Sequence, residues 1–307
     1  MEEGRTLSGR KEALTIRAGM MCAIRRFFVE RDYLEIETPL RVPTQAPETH
    51  IDAIPSDGWF LQTSPELCMK RLLAAGYPRI FQIAHCFRKG ERGRLHSDEF
   101  TLLEWYRAGI DYLDMMEECE DLFLFVTGEL GFGTTVDYRG RTIDFTKPWE
   151  RISVKEAFRK YSSLSPEEAI VKELFDEIMV TEIEPNLGKN KPSFLYDYPL
   201  SLGSLARKKK KDPSVAERFE IYAGGLELAN AFSELTDTEE QRKRFQKEDA
   251  LRRQSGKAAY PVPEKFLAAL SHMPEASGIA LGVDRLAMIF AGSDSIDGVV
   301  AFTPEEL

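Results

Sequence analysis

The chain has 307 residues and a formal net charge of −10. That balance excludes a protein that holds nucleic acid by bulk electrostatics; such a partner would need a local basic patch. With 43% apolar and 10% aromatic residues, the chain can bury a substantial core, which argues against disorder. No window approaches about 18 consecutive apolar residues, and the polar N-terminal stretch from Met1 to Met21 lacks the apolar segment of a secretory signal. The four cysteines, Cys22, Cys68, Cys86 and Cys119, include no CxxC pair, so reduced thiols and a soluble, cytoplasmic, membrane-free protein are expected.

Leu14 to Asp32 reads as an amphipathic helix, with Ile16, Met20, Ala23, Ile24, Phe27 and Phe28 at helical spacing. Tyr33 to Thr38 is strand-like and stops at Pro39. Ser64 is placed as an N-cap with Pro65 at the first helical position and Leu67, Met69, Leu72 and Leu73 on the apolar stripe. Arg79 to Arg88 and Phe100 to Ala108 form two strands of a long hairpin around the polar turn Lys89 to Asp98. Tyr112 to Leu130 is an acidic amphipathic helix, and a further helical stretch lies near Pro166 to Val180. Phe194 to Tyr198 and Arg218 to Tyr222 are strands; Gly224-Gly225 turns the second of them into Leu226 to Leu235. A charged helix spans Glu239 to Gln254, and Gly278 to Ala291 begins as a strand and ends as a helix. No internal repeat or low-complexity linker interrupts the chain. Hairpin-rich strands with helices around them predict an antiparallel sheet flanked by helices, of α+β class.

Three stretches can carry chemistry. At the hairpin tip, Arg88, Lys89, Arg92 and Arg94 offer cationic donors suited to phosphate oxygens, and His96 lies among them. On the returning strand, period-2 alternation puts Leu102, Glu104 and Tyr106 on one face. A carboxylate and a phenol on an apolar strand need a polar partner, and an ammonium group suits them. In the second stretch, Glu227 and Glu234 are carboxylates seven residues apart that could hold Mg²⁺. Strict alternation puts them on opposite faces, so a shared site requires a bulge, expected near Asn230. In the third, Gly278 to Gly282 is small enough for a ligand to approach the backbone, Asp284 is placed as an N-cap, and Arg285 enters the first helical turn against the dipole preference. An anion or an aromatic base above Arg285 would account for a cation there. No GxxxxGK and no strand-linked GxGxxG occurs, and the histidines at 50, 85, 96 and 272 are too scattered for zinc. The run Arg207 to Lys211 reads either as a mobile solvated loop or as a docking patch for an acidic macromolecule.

Taken together these features resemble the three motifs of class II aminoacyl-tRNA synthetases. The first helix running into Tyr33-Leu34-Glu35-Ile36-Glu37-Thr38-Pro39 resembles motif 1, the hairpin from Phe87-Arg88 motif 2, and Gly282-Val283-Asp284-Arg285 motif 3. Thr63-Ser64-Pro65-Glu66, Glu99 to Tyr106 and Glu227 to Leu235 are similar to the lysyl branch, and most of all to its truncated paralogs, the ligases that attach β-lysine to elongation factor P. Motif 1 begins near residue 14, which leaves no room ahead of it for an anticodon-binding domain, so residues 1–307 are expected to be one catalytic domain. Ala280 stands where synthetases of this branch have glycine. Its methyl would discourage an α-amino acid and tolerate a β-amino acid.

The resemblance implies ATP and Mg²⁺ as cofactors, β-lysine or lysine as the small substrate, elongation factor P as the acceptor and a homodimer; it does not imply tRNA binding. Arg88 and Arg285 are the catalytic candidates, the first on the α-phosphate, the second on adenine and the γ-phosphate. Lys89, Gly90, Glu91, His96, Ser97 and Phe100 would flank the nucleotide from the hairpin, and Leu228 and Gly282 from the strands. Glu227 and Glu234 are the metal candidates. Ser64, Pro65, Glu66, Glu104, Tyr106, Asn230, Glu234 and Ala280 would shape the amino-acid pocket. Gly90 occupies the place of the motif 2 acid, so either Glu91 through a shifted turn or backbone carbonyls must meet the adenine amine. Two other readings remain: a lysyl-tRNA synthetase-like enzyme that charges tRNA or another carrier, and a non-catalytic regulator that binds an amino acid or RNA.

Overall fold

The computed structural model describes residues 7–307; the first six residues of the polar N-terminus lie outside the described residues. Helix α1 (Lys11–Val29) buries Met20, Ala23, Ile24, Phe27 and Phe28, the stripe its spacing predicts. Strand β1 (Leu34–Glu35) follows, then the short strands β2 (Arg41–Val42), β3 (Pro55–Ser56) and β4 (Trp59–Leu61), which form a small sheet of their own. Next come α2 (Glu66–Ala74), the hairpin β5 (Arg79–Phe87) and β6 (Glu99–Ala108), and α3 (Tyr112–Glu129). The hairpin β7 (Thr135–Tyr138) and β8 (Arg141–Asp144) leads to β9 (Glu150–Ser153) and to the helices α4 (Val154–Tyr161), α5 (Pro166–Val171) and α6 (Phe175–Ile178). The chain ends through β10 (Ser193–Pro199), β11 (Val215–Ala223), β12 (Leu226–Ser233), α7 (Thr238–Gln254), α8 (Glu264–Leu270), β13 (Ala276–Gly282) and α9 (Val283–Ala291).

Eight strands form the main sheet in the order β1-β5-β6-β13-β12-β11-β10-β9. The interior pairs are antiparallel, but β1 and β9 join the two edges in parallel. The wholly antiparallel expectation is thus corrected at both rims, while the α+β class stands. Alternation divides the side chains of the sheet between two faces. The back face takes the large apolar groups: Phe81, Leu103, Trp105, Ile279, Leu281, Ala229 and Ala231 pack with α1, α3 and α9. There Phe28 stacks on Phe81 at 4.8 Å between ring centroids. The front face keeps small and polar groups. Gln82, Glu104, Ala280, Asn230 and Glu220 form one cross-strand row, and Ile80, Tyr106, Gly278, Phe232 and Arg218 the next.

Three local expectations change. The motif 1 strand shrinks to Leu34–Glu35, because only these residues pair with β5. Helix α2 starts at Glu66, so Pro65 precedes it and Ser64 lies two residues before its start; the Ser64 hydroxyl still accepts from the Glu66 N–H at 3.0 Å. The stretch 166–180 is not one helix, since α5 ends at Val171 and Glu173 adopts a left-handed φ of 57° before α6 begins.

Candidate active site

A bulge in β12 brings the acids onto the working face. Ile221 pairs with Ala229, but Tyr222 pairs with Glu227, so Leu228 is an extra residue with no partner on β11. That one residue reverses the alternation. Glu227 therefore shares the front face with Asn230, Phe232 and Glu234, as the sequence required, although the bulge sits at Leu228 rather than at Asn230.

A cleft of about 510 Å³ opens on this face. Arg88, Glu91, His96, Ser97 and Phe100 line it from the hairpin, Glu227, Leu228 and Asn230 from β12, and Ala280, Gly282 and Arg285 from β13 and α9. Lys89 and Gly90 are exposed and stand outside the lining. Gly90 turns the chain with a φ of 79°, and Glu91 reaches the cleft in its stead, 3.7 Å from Arg88. The Arg88 guanidinium lies over the Phe100 ring at 5.0 Å, and its Nε is buried without a partner. A buried unpaired donor in an open cleft is ready for an acceptor. Arg285 donates to the Glu227 carbonyl at 2.8 Å and lies 3.3 Å from the Glu227 carboxylate. Burial, with Arg285 and Arg88 nearby, lowers the pKa of His96. Its neutral ring accepts from Arg285 through Nε2 at 2.5 Å.

A second group of polar side chains is buried deeper on the same face. The Ser64 hydroxyl donates to Glu104 Oε1 at 2.6 Å, and the Tyr106 hydroxyl donates to Oε2 at 2.9 Å. Lys70, absent from the sequence reading, lies between Glu66 at 2.6 Å and Glu234 at 2.5 Å, with the Phe232 ring 4.8 Å away. Lys70 and Glu234 are 2% and 0% exposed. Burial pushes Glu104 up to about 7 and Glu234 up to about 8. Burial by itself would lower the Lys70 ammonium, yet Glu234 and Glu66 raise it above its ordinary value, so it stays charged. Gly278 makes this closeness possible: a Cβ there would stand 2.3 Å from the Tyr106 ring and 2.5 Å from Glu234 Oε1. The signal for Lys70 was a lysine four residues after Glu66 and three before Leu73, on the apolar stripe of α2.

Several placements differ from the sequence reading. Glu227 and Glu234 share a face but not a site, since an extended strand separates them by about 20 Å and Glu234 is paired with Lys70. The single-ion reading of the two acids is corrected. Among the described residues no group of three or more His, Cys, Asp or Glu could hold a metal alone, so an ion beside Glu227 would need ligand and water oxygens, which suits Mg²⁺. Pro65 leads into α2, and the Asn230 side chain accepts from Arg218 at 3.0 Å. Asp284 is not a cap. It is buried, and it accepts from Arg17 of α1 at 2.5 Å and from the Thr101 N–H of β6 at 2.7 Å, clasping the three motifs together beside Arg285. Arg207 to Lys211 is not a loose loop. Its backbone is bonded to Ser233 and Val215, and Arg207 and Lys209 pair with Glu217 and Asp197.

The chain matches the family described as tRNA synthetases class II (D, K and N) over residues 7–306, and it belongs to that family. Known relatives include proteins named elongation factor P–(R)-β-lysine ligase from Salmonella paratyphi B, Salmonella heidelberg and Salmonella enteritidis PT4. Each is 39% identical over 322 aligned positions that cover 94% of this chain and 93% of the relative. No helix among the described residues is long and apolar enough to cross a membrane.

Proposed function

We propose that this chain is a single catalytic domain that uses ATP to activate (R)-β-lysine or lysine as its adenylate and transfers it to a lysine side chain of elongation factor P. The observation that supports this reading is the adjacency of two unlike groups on one sheet face: a cleft with the arginines Arg88 and Arg285, and beside it a buried cluster of Glu66, Glu104 and Glu234 around the single cation Lys70. With those acids ionised the pocket carries a net charge of about −2, which two ammonium groups would neutralise.

Arg88 holds the α-phosphate, and Arg285, against the His96 ring, holds adenine and the γ-phosphate. Glu91 serves the adenine amine in the place of the motif 2 acid. The substrate carboxylate attacks the α-phosphorus and pyrophosphate leaves. The neutral amine of the acceptor then attacks the adenylate carbonyl, AMP leaves and an amide forms. No side chain acts as a nucleophile; positioning and charge stabilisation do the catalysis. Glu227 would hold Mg²⁺, which supplies charge neutralisation to the phosphates. Exposed Val29 and Leu34, at the end of α1 and on the edge strand β1, support a symmetric homodimer through this edge.

Exchange of pyrophosphate into ATP with β-lysine, with α-lysine and without amino acid tests the first half; mass increase of elongation factor P tests the second. Exchange with neither amino acid would remove the enzymatic reading, and charging of bulk tRNA in preference to the protein would replace the acceptor.

A further inference from the structure

The pocket contains its own ammonium. Lys70 is anchored on α2, one turn after Glu66, and its nitrogen takes Oε1 of Glu66 at 2.6 Å and lies 2.5 Å from Oε2 of Glu234. Both oxygens of Glu234 are buried without a hydrogen-bond partner; Oε2 has the Lys70 ion pair, and Oε1 has no ion pair either. That oxygen faces Gly278, whose missing side chain leaves room for it beside the Tyr106 ring. Both oxygens of Glu104 are already taken, by Ser64 and Tyr106. A buried carboxylate with one oxygen on a resident cation and the other idle is half of a binding site.

We infer that Lys70 is a positioning residue for the amino-acid substrate: by pairing with one oxygen each of Glu66 and Glu234, it holds both carboxylates in place and leaves Glu234 Oε1 to receive a substrate ammonium. This rests on the diamino-acid reading above and adds to it. Three acids alone would leave an uncompensated charge of about −3 in the folded pocket, and such a cluster takes up protons. Lys70 limits that uptake. The groups that face it are Glu66 on its own helix, Glu104 and Tyr106 on β6, and Glu234 just past β12. The i, i+4 pairing and the Phe232 ring below leave the ammonium little freedom, so the same nitrogen serves every substrate molecule.

Calorimetric binding of β-lysine and of lysine, between pH 6 and 9 in the presence of ATP, tests this with the wild-type chain, Lys70→Met and Lys70→Arg. Lys70→Met is expected to weaken amino-acid binding by roughly tenfold or more, to raise the pH at which binding is half-maximal by about one unit, and to leave ATP affinity unchanged. Lys70→Arg keeps a cation and is expected to keep the wild-type pH midpoint, whatever its bulk does to affinity. Equal affinity and midpoint in Lys70→Met overturn the inference, as does weaker binding with an unmoved midpoint, which marks a packing role only. Should Lys70→Met fail to melt cooperatively, the Lys70→Arg midpoint decides: unchanged supports, raised overturns. A wild-type chain that binds neither amino acid removes the function and the inference together, and the wild type alone reveals it.

Discussion

Gly278→Ala tests the geometry of the pocket with one carbon. The new methyl would stand 2.3 Å from the Tyr106 ring and 2.5 Å from Glu234 Oε1, where ordinary contacts lie at about 3.5–4.0 Å. An overlap above about 1 Å must be relieved by movement. Glu234 cannot retreat, since Lys70 holds its other oxygen. Tyr106 can move, but only by giving up its 2.9 Å bond to Glu104. Overpacking of this kind costs about 1–3 kcal/mol. Taken out of amino-acid binding at about 1.4 kcal/mol per decade, it raises the amino-acid KM roughly 5- to 150-fold. The nucleotide cleft does not touch residue 278, so the ATP KM should hold. Pyrophosphate exchange, titrated first in amino acid and then in ATP, gives both constants. A Gly278→Ala enzyme with an amino-acid KM within about twofold of wild type would refute the placement of Tyr106 and Glu234 as pocket walls.

Glu104 and Glu234 titrate upward, near 7 and 8, because they are buried. The amino-acid KM should therefore fall as pH rises through that range, and binding near pH 7 should release protons, seen as a buffer-dependent heat. A flat KM would contradict it. The same raised values mean that the folded chain holds more protons than the unfolded one above the ordinary carboxylate range, so ligand-free stability should decline as pH climbs toward 8; thermal melts against pH check the sign. Asp284→Ala takes the carboxylate from Arg17, which keeps only its 2.9 Å bond to the Thr101 hydroxyl, and frees the Thr101 N–H. A loss of about 3–5 kcal/mol is expected, and a melting point lowered by roughly 10 °C; an unchanged melt would show that the clasp is idle. Arg285→Ala should cut exchange by about 10²-fold or more while the melt stays near wild type, and unaltered exchange would remove Arg285 from the reaction. Ala280→Gly opens the row between Asn230 and Glu104. The ratio of α-lysine to β-lysine exchange should rise about tenfold; an unmoved ratio would end the steric account.

The hairpin was readable because alternation and turn chemistry agree over Arg79 to Ala108. Leu102, Glu104 and Tyr106 then had to share a face. The convergence of Arg88, Phe100 and Arg285 was legible only through three motifs in order, since nothing local says that β13 lies beside β6. Lys70 escaped notice because lysines are so often solvated; its partner Glu234 is 164 residues away in sequence. Asp284 resembled a cap because it lies between a glycine-containing strand and an apolar helix, but its oxygens are claimed by Arg17 and Thr101, contacts between elements that periodicity does not report. The loose-loop reading of the basic run Arg207 to Lys211, one of the two it allowed, failed for a similar reason: the acids that hold it, Glu217 and Asp197, come from two other strands.

The extra residue at Leu228 also bears on how such a chain can diverge. Glu227 lies on one side of it and Asn230, Phe232 and Glu234 on the other. Because the strand changes phase at that point, a shortened or lengthened β11–β12 turn can be absorbed at the joint. The nucleotide wall would then be re-indexed while the amino-acid floor, from Asn230 onward, kept its pairing with β13. A regular ladder that kept Leu228 in register would instead turn Glu227 toward the apolar back face. On the proposed reading, a substitution downstream of the joint would reshape the amino-acid floor without moving the residues around Glu227.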